Sequence, residues 1–261
     1  MSQTPLTPYQ VKHKIIIEAA NGIVEDIFVL KTGVLLTKRS KITPEAKVLF
    51  DTLNIDTDRP EYEQHAEFNS RITYLSFKDK KGDSKVFNER MIHEYQHRSV
   101  YNDEYVTFLI AGCAIETELE FLAHNEATVA RLTSSRTNAQ NTPLFKIINR
   151  GNNQELVEKQ KEICKTYVKE KKLFETSGKQ FDNEVSNILA PGNKAVSFTI
   201  TMSVKDWHKT LIGRLSHEGV ETDMLLVLED IATQLKSNYP VFFNTVDQYY
   251  KMGNGLKYEG E

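Results

Sequence analysis

The spacing of hydrophobic and polar positions predicts alternating strands and helices along most of this chain. The apolar run YVTFLIAGCAI (105–115) and the alternating segment VSFTITMSV (196–204) are typical of β-strands. The charged segment 152–178 predicts a helix that ends at a C-capping Gly178. The face of this helix that we expect to be buried carries Leu156, Gln160, Ile163, Tyr167 and Val168.

Capping residues and turn residues set the predicted ends of other elements. Thr43 followed by Pro44 indicates a helix start, so 43–55 is predicted to be helical. The segment 222–240 predicts a helix opened by Thr222 or Asp223 and stopped before Pro240. A Lys/Gly turn inside 70–91 predicts a β-hairpin. Residues 13–40 fit either short strands or a helix.

The pattern as a whole favours one α/β domain over residues 1–261, with residues 1–10 as a flexible tail. No internal repeat and no linker-like segment divides the sequence. The sheet is expected to be antiparallel or mixed, with flanking helices.

Composition narrows the classes of function. The formal net charge is -3, so no overall basic field favours nucleic acid. The two cysteines, Cys113 and Cys164, lack a metal-like spacing and make no disulfide framework. The polar N-terminus lacks the features of a signal peptide, and no run of apolar residues is long enough to span a membrane. A cytoplasmic protein without a bound metal is therefore expected.

The segment HEYQH (93–97) fits the HExxH pattern of zinc metalloproteases. On a helix, His93 and His97 would share one face, with Glu94 as the general base. The cation Arg98, which follows directly, and the poorly amphipathic flanks weigh against a zinc site. Zinc proteolysis therefore stays an alternative hypothesis, and the simpler interpretation is two surface or partly buried histidines.

Four separated motifs carry a family resemblance, and the first two lie in the middle of the chain. In HRSVYNDEYVTFLI (97–110), His97 and Ser99 form a His-x-Ser a few residues before a strand. In AHNEATVARLTSSR (123–136), His124 occupies the central histidine of the signature RHRxxSxNExSxR. The rest of that signature falls on Asn125, Thr128, Arg131, Thr133 and Ser135, with a final arginine one position later at Arg136.

The other two motifs follow in the same order. GKQFDNEVSNILAP (178–191) is similar to G-x-x-x-E-x-A-R-x-x-L-P, with Asn187 at the arginine position. The segment 198–232 is similar to a strand followed by N-x-R-S-L, L-R-L and A-Q-x-E-I. Ser203, Lys205, Arg214 and Glu221 stand at or beside the polar positions of these motifs. Over residues 97–235, the chain resembles the flavin-dependent thymidylate synthases.

The resemblance implies a fold of that family and a homotetramer with FAD bound between subunits. It also implies reductive methylation of dUMP, or a related uracil nucleotide, at C5. Methylenetetrahydrofolate and NADPH would be the co-substrates, and FAD would carry the hydride.

The same resemblance assigns expected roles to individual residues. Arg214 would polarise the pyrimidine as the catalytic residue. The expected cofactor-binding residues are His97, Ser99, His124, Asn125, Arg131, Ser203 and Lys205. The expected substrate-binding residues are Thr133, Ser135, Arg136, Asn187 and Glu221.

The sequence departs from the family at three cationic positions, which here are Ala123, Asn125 and Asn187. A charge-assisted hydrogen bond contributes on the order of 1.5–3 kcal/mol, so these losses would weaken the binding of an anion. Arg98, Arg131 and Arg136 are candidate replacements. A second hypothesis is therefore a non-catalytic or subunit-like descendant that binds a nucleotide, a flavin or a partner.

Structural roles compete with functional ones at several positions. The hydroxyls of 128–135 are also typical of helix caps and turns. Trp207 and His208 are expected to pack in the core. Asp223 is interpreted as a first-turn acid that the helix dipole stabilises. Glu116, Glu118 and Glu120 are interpreted as a solvated edge.

Overall fold

A four-stranded antiparallel sheet organises this computed structural model, which describes residues 29–30, 32–74, 76, 83–95, 97–124, 126–131, 145–148, 153–176, 189–217 and 219–244. The sheet contains β2 (Gly33–Arg39), β3 (Tyr105–Ala114), β4 (Thr128–Arg131) and β6 (Ala195–Ser203), in the spatial order β2-β3-β6-β4. The short strands β1 (Val29–Leu30) and β5 (Phe145–Lys146) pair in parallel. The predicted α/β class with an antiparallel sheet and flanking helices is confirmed.

Helices flank this sheet. In chain order they are α1 (Pro44–Thr52), α2 (Glu61–Tyr74), α3 (Ser84–Glu89), α4 (Ile115–Leu122), α5 (Gln154–Thr176), α6 (Val204–Leu215), α7 (Thr222–Asn238) and α8 (Pro240–Phe243). A π-helical turn (Arg90–Glu94) and a 3-10 turn (Arg98–Tyr101) lie between α3 and β3. Within the described residues, no helix is both long enough and apolar enough to cross a membrane.

Several predicted elements are confirmed. The Thr43 side chain accepts a hydrogen bond from the backbone N–H of Ala46, and Pro44 opens α1. The strands predicted at 105–115 and 196–204 correspond to β3 and β6. The helix predicted at 222–240 is α7, although Glu221 rather than Thr222 or Asp223 occupies its N-cap position.

The hairpin predicted within 70–91 is wrong where the structure describes it. Residues 70–74 are the last turns of α2, and α3 begins at Ser84 after Asp83, whose carboxylate accepts from Lys85 N at 2.7 Å. The β-branched and aromatic residues near 72–74 favoured a strand on propensity, but the tertiary packing of α2 overrides that local preference. The predicted Lys/Gly turn lies outside the described residues.

The prediction for the buried face of α5 is confirmed in part. Tyr167 is buried as predicted, and Val168 packs beside it. Leu156 and Ile163, however, are 56% and 57% exposed, and their neighbours Val157 and Cys164 are buried in their place. Cys164 and Tyr167 pack with Phe145 of β5 in a small cluster. Gly178, the predicted C-cap, lies outside the described residues. Both cysteines are free and buried, in agreement with the prediction of no disulfide.

The main core is formed where α6 and α7 cover the centre of the sheet. The indole of Trp207 is fully buried, packs edge-on against Phe108 of β3 and donates to the carbonyl of Val106 at 3.4 Å. His208 is buried as well and contacts Phe243. The expectation that Trp207 and His208 pack in the core is confirmed, and this packing fixes the position of α6 relative to β3.

The edge strand β2 is covered by a side chain of α7. Gln234 donates to the carbonyl of Val34 and accepts from the backbone N–H of Leu36, both at 2.9 Å. The amide thus hydrogen-bonds as a neighbouring strand would, which protects the centre of an otherwise open edge. This contact also fixes the first half of β2 against α7.

Candidate functional site

His124 lies just after α4, where the chain turns towards β4. Its backbone N–H donates to the carbonyl of Phe121 at 3.2 Å, and the Phe121 ring is fully buried in the core. His124 Nε2 is buried and, within the part of the chain that the structure describes, has no hydrogen-bond partner. Burial lowers the pKa of His124, and the charge of Arg214 lowers it further. Both effects favour the neutral imidazole, and one of its nitrogens is buried without a hydrogen-bond partner among the described residues.

Arg214 lies in the last turn of α6 and is half-buried. Its Nη1 is 3.2 Å from Glu120 Oε2, on the last turn of α4. The geometry is that of an ion pair but not of a hydrogen bond, because Glu120 Oε2 has no hydrogen-bond partner among the described residues. The two helix ends thus bring His124, Glu120 and Arg214 together, which we call the His124–Arg214 pocket.

Two further ion pairs involve residues of α4, β4 and α6. Arg131 at the end of β4 donates from Nε to Glu118 at 2.7 Å, and Lys209 of α6 pairs with Glu126 at 2.8 Å. Burial raises the pKa of Glu118, which is 2% exposed, while the charge and hydrogen bond of Arg131 lower it. The interpretation of Glu118 as part of a solvated edge was therefore wrong, because it lies on the face of α4 that also buries Thr117 and Phe121.

Ser203 and Lys205 lie at the opposite end of α6 from Arg214. Ser203 caps the helix by accepting from the backbone N–H of Asp206, and its hydroxyl contacts the Asp206 carboxylate at 2.5 Å. Lys205 is half-buried in the first turn. Because an α-helix rises 1.5 Å per residue, Lys205 and Arg214 are separated by about 14 Å along the axis. Within one chain these residues do not form a single cluster.

His97, Ser99 and Glu221 lie on other parts of the surface. The His97 ring contacts the Tyr74 hydroxyl at 3.2 Å, and Ser99 is exposed in the 3-10 turn. Glu221 is exposed at the N-cap of α7. Within the described residues, no hydrogen bond or ion pair joins His97 or Ser99 to His124 or Arg214. The predicted site residues Asn125, Thr133, Ser135, Arg136 and Asn187 lie outside the described residues.

The HExxH segment does not have the geometry of a zinc-binding helix. The π-helical turn ends at Glu94, and His97 follows it instead of lying one α-helical turn beyond His93. His93 Nε2 is 2.8 Å from the backbone carbonyl of Val241, and the Glu94 carboxylate lies near Arg90. No group of three potential metal-binding side chains occurs among the described residues.

A buried polar network around Asp223 was missed by the sequence analysis. Asp223 accepts hydrogen bonds from Thr32, from Thr117 and from the backbone N–H of Ala114, at 2.7, 3.0 and 2.8 Å. Lys146 Nζ lies 3.1 Å away and also donates to Thr32. Asp223 lies in the first turn of α7 as predicted, but that interpretation missed its burial: the carboxylate joins β5, α4 and α7. The neighbouring apolar residues of α7 were the available signal, because they place position 223 on a buried face.

The comparisons with known proteins yield no relatives. No protein-family model matches the chain, and no curated protein is significantly similar to it. The features of the protein that bear on its function are therefore the geometry of the His124–Arg214 pocket and the sequence motifs.

Proposed function

We propose that this protein is a flavin-dependent methylase of the thymidylate synthase type, acting on dUMP or a related uracil nucleotide. The observation that supports the proposal is the adjacency of His124 and Arg214. Both residues are identical to the residue that the family motif has at their position, and they come from separate motifs.

The chemistry of the pocket fits a flavin next to a nucleotide. A buried imidazole nitrogen without a partner is costly unless a ligand satisfies it, and His124 Nε2 offers such a group to a flavin. Arg214 presents a permanently charged planar group, which is suited to a pyrimidine carbonyl or a phosphate. Bound FAD would supply hydride transfer, and the protein would orient and polarise the nucleotide.

A second subunit is part of the proposal. Lys205 lies about 14 Å from Arg214 along α6, and Ser203 lies just before the start of this helix. One chain therefore does not place all the expected cofactor-binding residues around one ring. In a homotetramer with FAD between subunits, the α6 N-terminus of one chain would serve a pocket completed by another. NADPH and methylenetetrahydrofolate would be the co-substrates.

A spectrum of the freshly purified protein tests the proposal. The expected result is visible flavin absorbance, with FAD released on denaturation and identified by mass spectrometry. NADPH, methylenetetrahydrofolate and dUMP are then added, and a product heavier by one methyl group is sought. A colourless protein that FAD does not stabilise against heat, and that makes no methylated product, would refute the proposal.

One observation favours a second function, a non-catalytic nucleotide-binding or subunit-like protein. Arg214, Arg131 and Lys209 are each paired with a glutamate of their own chain, which reduces the positive charge offered to an anion. Under this alternative, dUMP raises the melting temperature of the protein while no methylated product is formed.

A further inference from the structure

A second cleft lies at the start of β3, whereas α4 and the His124–Arg214 pocket follow the other end of this strand. It has a volume of about 700 Å³, within the range of small-molecule sites. Its described lining comprises residues 36–41 on β2 and just after it, residues 60–62 at the start of α2, Glu104, Asn238 and Tyr239. We call it the basic cleft, because Lys38, Arg39 and Lys41 line one wall.

The three cations of the basic cleft form no ion pair with an acid among the described residues, although the charge of Lys41 acts on Glu61 and that of Arg39 acts on Glu104. Arg39 Nη1 donates to the amide oxygen of Asn238 at 3.1 Å, which holds the guanidinium with a neutral partner. No ion pair of Lys38 or Lys41 occurs among the described residues. Glu61, the acid on the facing wall, is already paired with Lys47 and accepts from the backbone N–H of Ile42. The wall formed by β2 therefore keeps a positive potential available to an anion.

The inner part of the cleft carries a buried carboxyl group. Glu104 is 7% exposed, and its Oε1 accepts a hydrogen bond from the Tyr239 hydroxyl at 2.8 Å. No cation lies within ion-pair distance of this carboxyl among the described residues. Burial raises the pKa of Glu104 to about 7, although the Tyr239 hydrogen bond and the charge of Arg39 oppose the rise. A buried acid with a strongly shifted pKa in a cleft is a common mark of a ligand site.

We propose that the basic cleft binds a small phosphorylated sugar or polyol, with its phosphate on Lys38, Arg39 and Lys41 and a hydroxyl donated to Glu104. Thr37 and Ser40 line the same wall and offer further hydrogen bonds to phosphate oxygens. The separation of a cationic wall from a carboxyl floor matches a ligand with an anionic end and a neutral, hydroxyl-bearing end. This site is independent of the proposed flavin chemistry, because the described lining residues include neither His124 nor Arg214.

Calorimetric titration with ribose 5-phosphate tests the proposal. Inorganic phosphate and ribose are titrated for comparison, because each represents one end of the sugar phosphate. Ribose 5-phosphate is expected to bind at least about tenfold more tightly than inorganic phosphate, because only the whole molecule uses both ends of the cleft. The double variant Lys38→Gln/Lys41→Gln is expected to bind ribose 5-phosphate and inorganic phosphate each at least about tenfold more weakly than the wild type. The matched control is Lys165→Gln/Lys169→Gln, on the exposed face of α5. It is expected to bind both ligands with the affinity of the wild type.

Two single variants separate this site from the other pocket. Glu104→Gln is expected to lower the affinity for ribose 5-phosphate but not the affinity for inorganic phosphate. A thermal melt verifies that the variant is folded. His124→Ala is expected to leave ribose 5-phosphate affinity unchanged. The proposal is overturned if the sugar phosphate binds no better than inorganic phosphate, if the lysine variant binds as tightly as the wild type, or if His124→Ala removes the binding.

Discussion

The charge of Arg214 acts on the imidazole of His124 and, after burial, is the strongest influence that lowers its pKa. The two residues belong to different helix ends, and the packing of α4 and α6 on the sheet brings them together. This relationship can be tested without knowing any ligand, and the first prediction follows from it.

Replacing Arg214 with Ala is expected to raise the pKa of His124. The variant removes a positive charge that disfavours the imidazolium, and it leaves Glu120 and Glu126, which favour it. The Cε1 proton of His124 followed by NMR against pH gives the value, and Arg90→Ala, on the distant π-helical turn, is the control. An unchanged titration would show that Arg214 does not act on the imidazole in solution.

The same Arg214→Ala variant is expected to abolish methyl transfer while flavin stays bound, because the residue is proposed to polarise the pyrimidine and not to hold the cofactor. Product formation and the ratio of flavin to protein are measured on one preparation. Full activity of the variant would remove the catalytic role assigned to Arg214.

His124→Ala is expected to reduce flavin retention, because the proposal gives Nε2 a contact with the cofactor. The ratio of flavin to protein absorbance after gel filtration measures this loss. His65→Ala is the matched control, since His65 lies on α2 and pairs with Asp103. Equal retention in His124→Ala and wild type would count against the alignment of the central motif.

Glu104→Gln is expected to change how the free energy of unfolding depends on pH. Ionising Glu104 is harder in the folded state, with a pKa near 7, than in the unfolded chain. The contribution of the protonated carboxyl to the free energy of unfolding is therefore complete below about pH 4.5, and it is lost as the pH rises through 7. Relative to the variant, the free energy of unfolding of the wild type should fall by up to about 3 kcal/mol between pH 4.5 and pH 7.

Urea unfolding of both proteins from pH 4.5 to pH 8 measures this difference. The groups that face Glu104 are Tyr239 and Arg39, with Asp103 next to it in the chain. The two proteins differ only in this carboxyl, so the difference between their pH profiles isolates it. Parallel pH profiles would show that Glu104 ionises normally in the folded protein.

Asp223→Asn is expected to destabilise the fold by about 3–5 kcal/mol, because it leaves the buried ammonium of Lys146 without its counter-charge. Chemical denaturation measures the loss, and Asp51→Asn on the exposed face of α1 is the matched control. A second change, Lys146→Met, should recover part of the loss in the double variant, since it removes the unpaired charge. An effect no larger than that of the control would mean that the network contributes little to stability.

Local signals in the sequence were sufficient for the elements whose ends and faces depend on neighbouring residues. Thr43 and Pro44 open α1, Pro240 stops α7, and the alternation of 196–204 gives β6, because caps and periodicity act within a few residues. The hairpin prediction at 70–91 failed for the converse reason. In that segment the local residue propensities favoured strands, but the packing of α2 and α3 in the folded protein stabilises helices.

The sequence by itself determined the α/β class and several element boundaries, and it named His124 and Arg214 as candidate site residues. Only the tertiary structure decided that these two residues are neighbours, that Asp223 is the centre of a buried network, and that Glu104 lies in a cleft beside Lys38, Arg39 and Lys41. The physical reason is that helix and strand patterns are set by short-range interactions. The burial of a charge and the identity of its partner depend on which distant segments the sheet brings together.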